Sequence, residues 1–148
     1  SVRESAIFGH HGGHVTLTDG RYVYMRAPAN AENEPLFDYT LMPARMKSMF
    51  HTAELNSAEL VSPFSFTKQC PMLKVSRPNS EPDPHRPGEM RSVPVADSFE
   101  TLLFDLEPDP EQLKPIDDPD LEARLAAQMV ELMRACDAPE EQYKRLGL

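Results

Sequence analysis

Tryptophan is absent from this sequence, cysteine occurs only twice, and no apolar run approaches the length of a membrane span. Each absence removes a class of protein. The two cysteines, Cys70 and Cys136, lie far apart without metal-ligand spacing, so they build no disulfide framework and fit a reducing compartment such as the cytoplasm. The opening residues, SVRESAIFG, carry neither the charged nor the apolar region of a signal peptide. They also start without methionine and enter a strand pattern almost at once, which reads as a piece of a longer chain. Positive charge is scarce as well: 15 Lys and Arg against 24 Asp and Glu leave a net charge of −9. Residues 97–148 hold fourteen acidic and five basic side chains, whereas residues 1–96 hold ten of each. Binding to a phosphate backbone needs a basic stripe, so the balance argues against nucleic acid as a partner. The acidic end reads as a solvated helix face.

What is present is a globular, loop-rich chain, 40% hydrophobic with 15 prolines, and 148 residues suffice for one sizeable core in one domain. Its organising stretch is FGHHGGHVTLTDGRYVYMR, residues 8–26. Residues 14–18 and 21–26 are rich in β-branched and aromatic types and flank Asp19-Gly20, a type I′ turn signal because both residues tolerate positive φ. A two-residue loop pairs Leu17 with Tyr22 and Val15 with Tyr24. It places Val15, Leu17, Tyr22 and Tyr24 on one face to be buried, and a mixed set including His14, Thr16 and Val23 on the other.

Further along, residues 36–42 (LFDYTLM) suit a strand that Pro43 closes. Met42, Met46, Met49 and Phe50 fall at helical spacing, predicting a short helix over 44–50 with methionines as core filler. Asn56 and Glu59 have the spacing of a capping box before a very short helix stopped by Pro63. Residues 65–68 and 72–75 read as short strands. Residues 76–96, with five prolines and little to bury, read as a surface excursion. It is not a linker, since residues 97–106 regain strand character and need the hairpin to complete a sheet. After Pro108 and Pro110 break that strand, Asp118 and Pro119 start a helix with an apolar stripe of Leu121, Leu125, Met129, Leu132 and Cys136. Asp137-Ala138-Pro139-Glu140 repeats the capping pattern for a final turn that Gly147 ends. The fold class is therefore α+β, a small antiparallel sheet packed against a C-terminal amphipathic helix, with short helices and long loops.

Chemistry-bearing residues concentrate in Gly9-His10-His11-Gly12-Gly13-His14. His10 and His14 stand at i and i+4, a metal-ligand spacing on a helix, but paired glycines oppose a helix there and no Asp, Glu or Cys completes a set. Two readings remain side by side. In one, a glycine-permitted loop turns imidazoles and backbone N–H groups toward an anionic ligand; in the other it is a solvated turn entering a strand. No nucleophile elbow, phosphate loop or catalytic triad spacing occurs, and Asp105, Glu107 and Asp109 read as a solvated strand end.

Taken in order, FGHHGGHVTLTDGRYVYMR, LFDYTLMP, PFSFTKQCPMLKV, LLFDLEPDPEQ and DAPEEQYKRLGL resemble the C-terminal portion of bacterial sulfatases of the alkaline phosphatase superfamily. The resemblance implies that residues 1–148 are a single C-terminal subdomain, with about four antiparallel strands and the last helix across one face. It implies a parent hydrolase that cleaves sulfate esters with calcium and a formylglycine made in a C/S-x-P-x-R motif. That motif is not in this sequence: Cys70-Pro71-Met72-Leu73-Lys74 has proline one place early and lysine for arginine. The metal ligands are expected upstream of Ser1, and the chain alone is expected to be inactive. Its partners would be its own N-terminal catalytic domain and, through that domain, a sulfate ester; no membrane is expected. His10, His11 and His14 are the candidate substrate-binding residues. A phosphodiesterase or phosphonate monoester hydrolase of the same superfamily, and a free-standing binding or assembly module, are the alternatives.

Overall fold

The computed structural model describes residues 4–44, 49–77, 80–82, 90–92 and 99–148. Its strands are β1 (Ala6–Gly9), β2 (Val15–Thr18), β3 (Tyr22–Arg26), β4 (Phe37–Thr40), β5 (Glu59–Val61), β6 (Met72–Ser76), β7 (Ser80–Pro82), β8 (Met90–Ser92) and β9 (Leu102–Asp105). The helices are α1 (Thr52–Asn56), α2 (Pro119–Ala135) and α3 (Glu140–Leu146). They fall into two compact units, Ser1–Glu34 with Pro94–Leu148, and Pro35–Val93. The fold is α+β, with a four-stranded antiparallel sheet, a second small sheet and a C-terminal helix.

In the first unit the strand order is β1-β2-β3-β9. The late strand β9 does complete the hairpin's sheet, pairing Tyr24 with Leu103 and Val23 with Phe104. The hairpin register differs from the expected one by two residues: Leu17 faces Tyr24 and Thr18 faces Val23. The cause lies in side chains of the turn. Asp19 Oδ1 accepts from the N–H groups of Arg21 (3.1 Å) and Tyr22 (2.8 Å), and Thr18 Oγ1 accepts from Gly20 N–H at 3.1 Å. These local bonds stabilise a longer loop in which only Gly20 takes positive φ (+91°), not the two-residue I′ turn. A slip of two residues preserves the alternation of faces, so the expected burial survives. Leu17, Tyr24 and Leu103 are buried on one face with Leu125, Met129 and Met133 of α2 and Leu146 of α3.

Helix α2 starts as expected, with the Asp118 carboxylate accepting from Leu121 N–H at 3.0 Å and Pro119 in the first turn. Its stripe is shifted at the C-terminal end. Met133 is buried, while Cys136, outside the last turn as the cap residue, is exposed. In α3 the N-cap is Pro139, and Gly147 closes the helix at φ +64°.

The second unit holds a three-stranded antiparallel sheet in the order β4-β6-β5 and the two-stranded pair β7-β8. Three expectations fail here. The short helix α1 ends at Asn56 instead of starting after it, because Glu54 reaches back to accept from His51 N–H at 2.8 Å, and Glu59 opens a strand. Residues 65–68 form a 3-10 turn, not a strand: the Thr67 hydroxyl ties Phe64 O (3.0 Å) to Cys70 O (2.9 Å), and Lys68 turns left-handed. Of the described members of the expected apolar stripe, Met42 and Met49 are exposed and Phe50 is buried; Met46 lies outside the described residues. Ala44 and Met49 form an isolated antiparallel bridge; residues 45–48, on which the 44–50 helix was expected, lie outside the described residues. The proline-rich stretch 76–96 contributes β7 and β8, and most of its remainder also lies outside the described residues.

Candidate functional site

The histidine-bearing stretch is the connection between β1 and β2. Gly9 still pairs with Val15, so residues 10–14 make the turn. Gly12 adopts φ +79°, which a residue with a side chain resists. Gly13 N–H donates to His10 O at 3.0 Å, and the His10 ring lies where a side chain on Gly13 would stand. Gly12 is therefore required by the path of the chain, whereas a side chain at Gly13 would displace only the exposed His10 ring.

The inner side of this turn is held by two buried polar residues that sequence reasoning missed. Asn33 and Arg145 are each 2% exposed. Asn33 Nδ2 donates to Gly12 O at 2.7 Å, while its Oδ1 accepts from Arg145 Nη1 at 2.9 Å. Arg145 Nη1 also donates to Gly13 O at 3.3 Å, and its Nε donates to Gln142 Oε1 at 3.0 Å. All three acceptors are neutral, and no acidic side chain among the described residues pairs with this guanidinium. Burial lowers the Arg145 pKa from its ordinary value, yet a guanidinium stays charged under folding conditions. The left-handed Asn33 (φ 56°) is set by a turn in which its N–H donates to Asn30 O at 3.1 Å. Asn30 in turn bonds both backbone groups of Glu34, at 2.7 and 3.0 Å.

Helix α3, which carries Arg145, is fixed at its C-terminal end by Arg26. That guanidinium donates to Leu146 O (2.8 Å) and Gly147 O (3.2 Å) and reaches the Tyr24 hydroxyl and Glu122. A cation at this end also complements the helix dipole. Burial raises the pKa of the Tyr24 phenol, an effect that the hydrogen bond with Arg26 opposes.

The three candidate histidines share this one connection but sit differently. His14 is half-buried; its Nε2 lies 2.8 Å from Glu100 O, a geometry that requires that nitrogen to carry the proton, and its ring meets Phe99 edge-on at 4.8 Å. His10 and His11 are exposed. His14 is thus an inward anchor, His10 and His11 are exposed residues, and the Gly12 and Gly13 carbonyls are drawn inside. A trans peptide directs C=O and N–H to opposite sides, so holding Gly13 O inward turns the His14 N–H outward. The Gly13 N–H is already given to His10 O.

The acidic strand end is a structural feature. Asp105 takes Arg21 in two bonds, 3.2 Å from Nε and 2.8 Å from Nη2, and Glu107 adds a second ion pair at 3.2 Å. The hydrogen bond from Arg21 holds the Asp105 carboxyl below its ordinary value. Asp109 Oδ2 accepts from Lys114 N–H at 2.8 Å and shapes the next turn. Among the described residues no three His, Cys, Asp or Glu side chains gather to hold a metal ion. No protein-family model matches the chain, and no curated protein or solved structure does either.

Proposed function

We propose that this chain is the accessory C-terminal portion of a sulfatase-type hydrolase, which completes the fold of the catalytic domain and presents the 10–14 turn to the anionic group of the substrate. The ordered motifs support the family, and one structural observation carries the role of the turn. It is built in advance: Gly12 O and Gly13 O are fixed from inside by Asn33 and Arg145, and His10 and His11 are left on the outer surface. A solvated connection of five residues has no need of two buried polar anchors. Preorganised donors lose little entropy on binding, which is how a loop of this kind contributes affinity.

Replacing His10 and His11 together by alanine in the complete enzyme tests the reading. Loss of two charge-assisted hydrogen bonds lowers kcat/KM by roughly tenfold or more. Unchanged kinetics would remove the turn from the substrate site. Running the same assay on sulfate and phosphate esters separates a sulfatase from a phosphoryl hydrolase.

A further inference from the structure

Arg145 is the one buried charged residue of the described structure, and the histidine reading does not account for it. A cation taken out of water is costly unless it is paired, and its three partners here, Gly13 O, Asn33 Oδ1 and Gln142 Oε1, are neutral. The C-terminal end of α3 carries partial negative charge and offsets part of that cost. The rest stands as a positive potential behind the 10–14 turn, little screened because the guanidinium is excluded from water. The unit around it is strongly acidic, with eighteen Asp and Glu against eight Lys and Arg over 1–34 and 94–148. Net repulsion of anions by this unit makes a buried positive charge the exception. A neutral amide could satisfy the same carbonyls more cheaply, so the positive charge is the feature that calls for a function.

We propose that Arg145 is the positioning residue of an oxyanion site on the outer face of the 10–14 turn. It holds Gly13 O directly and Gly12 O through Asn33, and supplies the charge that lets His10 and His11 receive a sulfate-like tetrahedral anion. This rests on the reading of the turn as the anion-contacting element. Arg145 itself touches no ligand. Its planar fork sets the loop, and its charge sets the sign of what the loop accepts.

The test uses the whole 148-residue chain and inorganic sulfate, with chloride at matched ionic strength as the reference. Imidazole signals of His10 and His11 and amide signals of Gly12 and Gly13 are followed by NMR. The wild-type chain shows saturable shifts with sulfate and none with chloride. Arg145→Gln weakens sulfate binding about tenfold, because it removes both the charge behind the turn and the fork that holds the turn, and Arg145→Lys falls between the two because it restores charge without the fork. A merely structural arginine would not produce that order in sulfate affinity while the His14 and α2 signals stay native. If Arg145→Gln does not fold, Arg145→Lys decides: affinity several-fold below wild type supports the proposal, and undiminished affinity overturns it. Equal sulfate affinity in wild type and folded Arg145→Gln overturns the role of Arg145 alone. No saturable response in the wild-type chain overturns the anion reading of the turn together with it.

Discussion

The two units spend their apolar residues differently. The first collects Leu17, Tyr24, Leu103, Leu125, Met129, Met133 and Leu146 into one buried cluster under a helix of 17 residues. The second, among the described residues, has strands of three to five residues and one five-residue α-helix; it buries Leu36, Phe50, Met72 and Val75 but exposes Leu41, Met42, Met49, Leu60 and Phe66, against Phe8, Leu113 and Ile116 exposed in the first. Charge separates them too. The first unit carries eighteen acidic and eight basic side chains, and the second six and seven. Long periodic elements with a single buried face are self-sufficient; short ones depend on a few side chains and leave apolar surface at the solvent. The buried amide and guanidinium of Asn33 and Arg145 lie in the first unit, beside its larger apolar cluster.

The sharpest way to break this contrast is to cut into each core. Leu125→Ala, at a fully buried position of α2, costs about 2–5 kcal/mol of stability in urea titration. Val75→Ala, fully buried in β6, costs about 1–3 kcal/mol. In hydrogen exchange its effect falls on β4, β5 and β6 while β2 and β3 keep their protection. Leu60→Ala, 75% exposed, stays within about 0.5 kcal/mol. Equal losses at Leu125 and Leu60, or Val75→Ala unprotecting β2 and β3 to the same extent, would show that the two units do not differ as described.

The smallest effect expected is in pH dependence. The Asp105 carboxyl is held below its ordinary value of 3.8, chiefly by its hydrogen bond with Arg21. A depressed carboxyl contributes stability that is present above that ordinary value and lost as pH falls through the folded one. Asp105→Asn therefore removes a small stabilisation at neutral pH and flattens the acid side of the stability profile, so that variant and wild type converge at low pH. An acid limb unchanged by Asp105→Asn would take Asp105 out of the pH response.

Legibility in the sequence follows the same division. The faces of β2 and β3 and the stripe of α2 are readable because alternation and 3.6-residue periodicity repeat along the chain, and alternation survives a two-residue slip. The slip itself was not readable: it is decided by Asp19 accepting from two amides, which no hydrophobic pattern reports. In the second unit, Glu54 and Glu59 both sit at capping distance from a polar residue, and spacing alone chose the wrong one. The histidines announced themselves by composition. Their supports did not, since Asn33 and Arg145 are 112 residues apart, one in a polar loop and one in a helix whose charges read as solvated.

The central claim, that this chain is the accessory end of a sulfatase-type hydrolase, is tested most directly by reading the coding sequence for a few hundred codons upstream of Ser1. The account predicts an open reading frame with a C/S-x-P-x-R motif and a set of acidic metal ligands. A start codon close to Ser1 with no hydrolase before it would contradict that claim and leave the histidine turn as the site of a free-standing anion-binding domain.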